Sequence, residues 1–242
     1  MTFARLFCVA MLCAAPIVGA AQGMTEDQVK ALVLETIREN PDIIVEALQI
    51  LELEQQEAQA AAAKAVLAEQ REILENDPNA PVIGNPDGDV TVVEFFDYNC
   101  PFCRNAKLEL DGLLSADGNV RVVMREWPVL GEGSVFAARA ALASRAQGKY
   151  EEFHNALMTM DGRAEEQSVI RVAARVGLDV DQLRRDMDAP EIAEHLQLSS
   201  GLGRALGFTG TPSFVIGENL APGMIRADQM QQLVAAARAT NQ

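Results

Sequence analysis

Cys100 and Cys103, separated only by Pro101 and Phe102, are the residues of this 242-residue chain best suited to chemistry. A two-residue spacer lets both sulfurs close a small disulfide ring, and a thiol at a helix N-terminus is stabilised as the thiolate, its reactive form. One adjacent pair closes almost no loop and stabilises a fold little, so the spacing favours redox chemistry over a structural crosslink. A zinc site needs four ligands. The other candidates, His154 and His195, are far apart, each in an amphipathic stretch, so no metal site is expected.

The flanking residues must position that pair. Val90 to Phe96 reads as a strand buried on both faces, Asp97-Tyr98-Asn99 as a polar corner, and Pro101 to about Leu114 as a helix with proline in its first turn. Cys100 would cap this helix as the exposed nucleophile, and Cys103, one turn inside, would resolve the mixed disulfide. Glu94 is the odd residue in the apolar strand. Desolvation would raise its pKa and suit it to relay a proton to or from Cys103, although an edge carboxylate paired with a lysine would look the same in sequence. Downstream, Gly210-Thr211-Pro212-Ser213 precedes a second apolar run. Proline opening a strand can be ordinary, whereas a cis bond there would turn the Thr211 backbone toward a neighbouring site.

Composition narrows the setting. Arg5 followed by the apolar run Leu6 to Val18 reads as a signal peptide over residues 1–21, cleaved after Ala20 or Ala21. Cleavage would remove Cys8 and Cys13, leaving the Cys100–Cys103 pair in an exported protein, and no later apolar run is long enough for a membrane helix. The formal charge of -15 argues against nucleic acid and anionic lipid as partners.

The chain divides by pattern. Residues 24–76 read as a helical arm: Thr25-Glu26-Asp27-Gln28 opens one helix, Asn40-Pro41-Asp42 separates it from a second, and that one runs unbroken to about Glu75. The apolar density of Leu32 to Leu53 favours self-association of the arm over packing on its own chain. Residues 77–81 read as a linker. Residues 82–242 give the order β-β-α-β, a helical block over about 134–206, then β-β-α. The expected fold class is therefore α/β, a sheet domain interrupted by an all-helical insertion and preceded by a helical arm. His154 reads as part of a solvated face, and His195 and Trp127 as packing residues.

Glu94 through Cys103, joined to Gly210-Thr211-Pro212-Ser213-Phe214, resembles the DsbA family of thioredoxin-fold proteins. The resemblance implies a thioredoxin fold with an inserted helical domain, Cys100–Cys103 as a redox-active disulfide needing no other cofactor, Pro212 as a cis-proline facing it, and Thr211 contacting substrate backbone. Glu94 would be the buried acid, and Pro101 and Phe102 would lie in the substrate surface. Residues 24–76 are similar to the arm of ScsC-type members, which implies a periplasmic disulfide isomerase or reductase, trimeric, acting on exported cysteine-containing proteins and kept reduced by a membrane thiol partner. Phe102 stands where the strong oxidant DsbA has histidine, so no side-chain cation stabilises the Cys100 thiolate there, and a less oxidising couple is expected. The alternatives are a monomeric DsbA-like dithiol oxidase and a copper-protective protein binding Cu(I) through the two thiolates.

Overall fold

A computed structural model describes residues 23–240; the expected signal peptide lies outside the described residues. Packing divides the chain into two compact units, one ending at Glu54 and the other beginning at Gln55. The division falls inside a helix and not at the 77–81 linker.

In the first unit, α1 (Glu26–Glu39) opens with the expected capping box: Thr25 Oγ1 accepts from Gln28 N, and Gln28 Oε1 accepts from Thr25 N at 2.9 Å. No residue of α1 is buried. After the Asn40-Pro41 break, α2 runs from Asp42 to Asn76, and its Ile43, Ile44, Val45, Leu48, Ile50, Leu51 and Leu53 are all exposed.

The second unit is built on a five-stranded sheet of order β1-β3-β2-β4-β5, comprising β1 (Val82–Gly84), β2 (Val90–Phe96), β3 (Val120–Glu126), β4 (Ser213–Ile216) and β5 (Asn219–Pro222). β2 and β3 are parallel, with α3 (Pro101–Ala116) as their crossover; the other pairings are antiparallel. Alternation along β2 sorts its side chains between two cores. Val90, Val92 and Phe96 join the core containing Cys103, Ala106, Leu110 and Leu113 of α3, Met230 and Val234 of α9 (Ala227–Thr240), and much of the helical insertion. Val93 and Phe95 face the opposite core, with Trp127, Leu202, Leu206 and Phe208.

Residues beyond Gln55 complete that second core. Leu67 and Leu74, both on α2, are fully buried in it, each contributing on the order of 2 kcal/mol of transfer free energy. The C-terminal half of α2 is thus a layer of the sheet domain. Its sparse Ala-Gln-Glu pattern hides this because a narrow stripe is enough to cover one sheet face. The insertion comprises α4 (Glu132–Ala143), α5 (Tyr150–Met158), α6 (Glu166–Arg175), α7 (Val180–Asp186) and α8 (Pro190–Ala205), close to the helices expected from periodicity. α8 passes so near Trp127 that a Cβ at Gly203 would meet the indole at 3.2 Å. Among the described residues no helix is long and apolar enough to cross a membrane.

Candidate active site

The corner between β2 and α3 is held by side chains whose role the sequence did not reveal. The Asp97 carboxylate accepts N–H bonds from Asn99 at 2.7 Å, Val129 at 2.8 Å and Leu130 at 2.9 Å. Asn99 donates to Ser134 Oγ and the Ala164 carbonyl and accepts from Ala164 N. Arg104 donates to the Met160 and Gly162 carbonyls, each at 2.8 Å. The loop entering the insertion and the loop between its α5 and α6 are thereby tied to the corner and the cysteine helix. The polar run Asp97-Tyr98-Asn99 was the available signal, but the partners that Asp97 and Asn99 find outside the corner lie 32 or more residues away.

Cys100 is the N-cap of α3, in extended backbone conformation with Pro101 at the start of the helix. Its Sγ donates to the Thr211 carbonyl at 3.2 Å, and the Thr211–Pro212 bond is cis. The register Phe95↔Ser213 and Glu94↔Phe214 carries this loop to the sulfur, because β4 lies antiparallel beside β2. Cys100 and Cys103 are both thiols here. The Cys103 thiol hydrogen-bonds to the Cys100 sulfur, the largest of the effects that lower Cys100 to about 6; burial opposes it, and the N–H groups of Cys103 and Phe102 and the Thr211 side chain assist. Cys103 moves the opposite way, driven up by burial, by Cys100 and by the Glu94 charge. One sulfur is poised to attack and the other holds its proton.

Two expectations need correction. Cys100 is recessed, 4% exposed, where an exposed nucleophile was expected; the Thr211-Pro212 loop packs over a small side chain and leaves one edge free. Cys103 has none. His154 is buried, not solvated. It hydrogen-bonds to Tyr98 at 3.0 Å and stacks on Tyr150, because α5 turns this side inward with Phe153 and Leu157. Burial, then the Lys107 charge, hold it down to about 3, so it is neutral.

Glu94 sits on the α3 side of β2 and is 2% exposed, with Oε1 lacking any hydrogen-bond partner among the described residues. Burial pushes its carboxyl up to about 8; Lys107 opposes, while Asp111 and Cys100 add to the rise. Phe102 projects outward, 61% exposed, and Pro101 is also exposed. Thr211 is half-buried and Pro212 buried. Among the described residues no group of three or more His, Cys, Asp or Glu is arranged to hold a metal ion.

A second polar cluster lies where α2 meets the sheet domain. Arg125, fully buried on β3, donates to Asp77 at 2.6 Å, to the Leu74 carbonyl at 2.8 Å and to that of Ile73. It satisfies carbonyls that the end of α2 leaves free. His195 bridges Asp77 Oδ2 at 3.3 Å and Glu126 Oε2 at 2.9 Å, and Tyr150 donates to Glu126 at 2.6 Å. His195 is therefore an ionic link, more than the packing residue expected.

Comparison with known proteins agrees with this geometry. Residues 91–235 match the DSBA-like thioredoxin domain. A thioredoxin-like oxidoreductase from Silicibacter pomeroyi DSS-3 is 62% identical, with a TM-score of 0.69 over 70% of this chain and 98% of that one. A linker-deletion variant of ScsC from Proteus mirabilis is 28% identical, with a TM-score of 0.70 over 94% of this chain and 100% of its own. The Na(+)/H(+) antiporter NhaA of Herminiimonas arsenicoxydans is 32% identical over 58% of this chain, which spans only 23% of that protein. The chain belongs to the DSBA-like thioredoxin domain family, and within it resembles the ScsC-type thiol–disulfide oxidoreductases.

Proposed function

We propose that this protein exchanges disulfides with exported, cysteine-containing proteins in the periplasm, as an oligomeric isomerase or reductase. The observation that carries the reading is the Cys100 sulfur: a low-pKa thiol at the start of α3, 3.2 Å from the Thr211 carbonyl, with a proton-holding Cys103 behind it. The Cys100 thiolate attacks one sulfur of a client disulfide, forming a mixed disulfide and releasing the other client sulfur as a thiolate. A second client thiolate then displaces Cys100, which completes isomerisation with no net electron transfer. In the reductive branch, Cys103 gives its proton to the Glu94 carboxylate and attacks Cys100. The client thiolate leaves, so the client gains two electrons and the cysteine pair becomes a disulfide. Forming the mixed disulfide removes the Cys100 charge that raised Glu94. Glu94 therefore becomes easier to ionise when a base is needed.

Around the Cys100 sulfur the Thr211 backbone and the cis-proline contact a client strand, and exposed Phe102 and Pro101 supply apolar surface. Phe102 brings no cation to the thiolate, which supports a less oxidising couple and a membrane thiol reductant to keep the pair reduced. The exposed apolar residues of α1 and α2, among them Leu32, Val33, Leu48 and Leu51, support an arm that assembles copies of the chain, three being the number favoured. Recovery of scrambled ribonuclease by the reduced protein tests the isomerase reading. Rapid oxidation of dithiols with no recovery from scrambled disulfides would instead support a monomeric oxidase. Removing the arm up to Glu54, and not to Asn76, leaves Leu67 and Leu74 in place; this truncation should yield a monomer that reduces insulin but does not isomerise. An unchanged mass by light scattering would refute assembly through the arm.

A further inference from the structure

Between α2 and the β4–β5 hairpin lies a space that the exchange scheme does not use. The inward stripe of α2 carries Leu74 and Leu67 where the helix packs tightly on the sheet, then Ala63 and Ala60 one and two turns earlier. There the helix stands off the sheet and leaves a groove of about 720 Å³, all of it within the second unit. Its lining is mainly apolar, with Leu206 and Phe208, both buried, and half-buried Leu220. Lys64 and Glu218, one charge of each sign, are the ionic groups on its walls. The α2 wall lies outside residues 91–235, so it is an addition to the DSBA-like domain and not part of it.

The groove follows β5. Arg71 holds the hairpin end, bonding the Glu218 carboxylate and the Gly217 carbonyl. The other end lies beside the exchange site: Pro222 pairs with Ser213, and the Gly223 N–H donates to the Pro212 carbonyl at 2.9 Å. Thr209, also in the lining, is two residues from Thr211, at most about 7 Å of chain. Ser213 Oγ donates to the Gly210 carbonyl at 2.8 Å and fixes the loop between them. β5 is the last strand on this side of the sheet, and among the described residues no strand pairs with its outer edge. Such an edge takes up extended polypeptide through its backbone groups, and alternate side chains of the incoming strand then fall on one face. Leu220 of β5 already points to the core that α2 covers.

We propose that this groove is a second client site, which takes an extended apolar segment of the same polypeptide whose cysteine is joined to Cys100. The inference rests on the exchange reading above and adds to it a substrate class: unfolded polypeptides with apolar residues a short way from the cysteine, preferred over small disulfides. A client strand lying at Thr211 has only two residues to advance before it meets the groove, so one polypeptide fills both places. The mixed charge of the walls leaves apolarity as the basis of selection.

The test uses the full chain carrying Cys103→Ser, which retains the mixed disulfide. Its Cys100–glutathione disulfide is equilibrated with short single-cysteine peptides; the peptide thiol joins Cys100 and glutathione leaves as the thiol. The peptides carry a leucine run or a serine run, placed before or after the cysteine. On one flank leucine should be favoured over serine by roughly tenfold or more, and on the other flank far less. Ala60→Glu, at an exposed helical position that glutamate suits, should bring that ratio close to one, and so should Thr209→Lys. Equal affinities without these substitutions, or a leucine preference that survives both, overturn the proposal. So does a lighter particle in light scattering of Ala60→Glu, which would make the groove a seat for a second copy. Insulin reduction by the unmodified protein tests the exchange reading separately: inactive protein with the leucine preference intact would overturn that reading, whereas active protein without the preference would overturn the groove.

Discussion

Glu94 and Arg125 are both charged residues in apolar strands, and both are buried, yet their surroundings are opposite. Every nitrogen of Arg125 donates, to Asp77 and to the Ile73 and Leu74 carbonyls. Glu94 has an unpartnered oxygen and a carboxyl raised to about 8. A buried charge with a partner at every charged nitrogen fixes structure, because removing a partner leaves it buried and uncompensated. A buried charge left short of partners is cheap to neutralise, and a group that changes protonation easily can move protons. The molecule places the first kind where α2 joins the sheet domain and the second beneath its cysteines.

That contrast can be broken by substitutions expected to separate chemistry from stability. Cys100→Ser should lower insulin reduction by roughly a thousandfold or more, since the hydroxyl cannot form the mixed disulfide, while the thermal midpoint changes little. Arg125→Met should do the reverse. It strips the guanidinium from Asp77, which keeps only His195 and the Asn79 N–H, and takes the Arg125 donors from the Ile73 and Leu74 carbonyls; it costs about 3–5 kcal/mol in urea unfolding and keeps the pH midpoint of Cys100 alkylation near 6. An Arg125→Met protein of unchanged stability would end the comparison.

Smaller effects sharpen it through pH. A folded Glu94 carboxyl near 8 against an ordinary value of 4.5 means the native state binds the extra proton. Native stability should therefore fall as pH rises from about 4.5 through 8, by on the order of a few kcal/mol. Glu94→Gln should flatten denaturant titrations between about pH 4.5 and 6.5 and reduce the slope above that, matching wild type at acid pH and exceeding it above pH 8. The His195 link changes in the same direction, starting at a higher pH. Burial disfavours its cation, but bonds to Asp77 and Glu126 outweigh burial and raise it. Its stabilisation is full below about pH 6.5 and is lost as pH rises through the folded value. Burial likewise pushes Asp77 up, but His195, the Asn79 N–H and Arg125 together bring it well below the usual range, so its share disappears as pH falls below about 4. His195→Gln should cost about 1–2 kcal/mol between those limits and progressively less at alkaline pH. A loss that grows with alkalinity would contradict the ionic link.

How much of this was legible follows from the range over which each feature acts. The strand, corner and helix around Cys100 were readable because periodicity and helix starts are set within a turn or two, as were the insertion helices and the Thr25 capping box. Glu94 was readable as an anomaly, whereas the burial of Lys107 was not: the stripe that makes Lys107 inward-facing also makes it look like one cation on an ordinary amphipathic helix. His154 was misread because Glu151 and Glu152 beside it are exposed, and one residue of rotation carries a side chain from solvent to core.

By itself the sequence determined the thiol pair, its place at a helix start, the alternation of elements and the proline loop, all encoded by neighbours in the chain. Only the tertiary structure decided that the Thr211 carbonyl reaches the Cys100 sulfur, that Glu94 and Lys107 share one side of the sheet, and that the back half of α2 covers the other. Those relations depend on strand order and register across more than a hundred residues, and the same local patterns are compatible with many pairings until packing selects one.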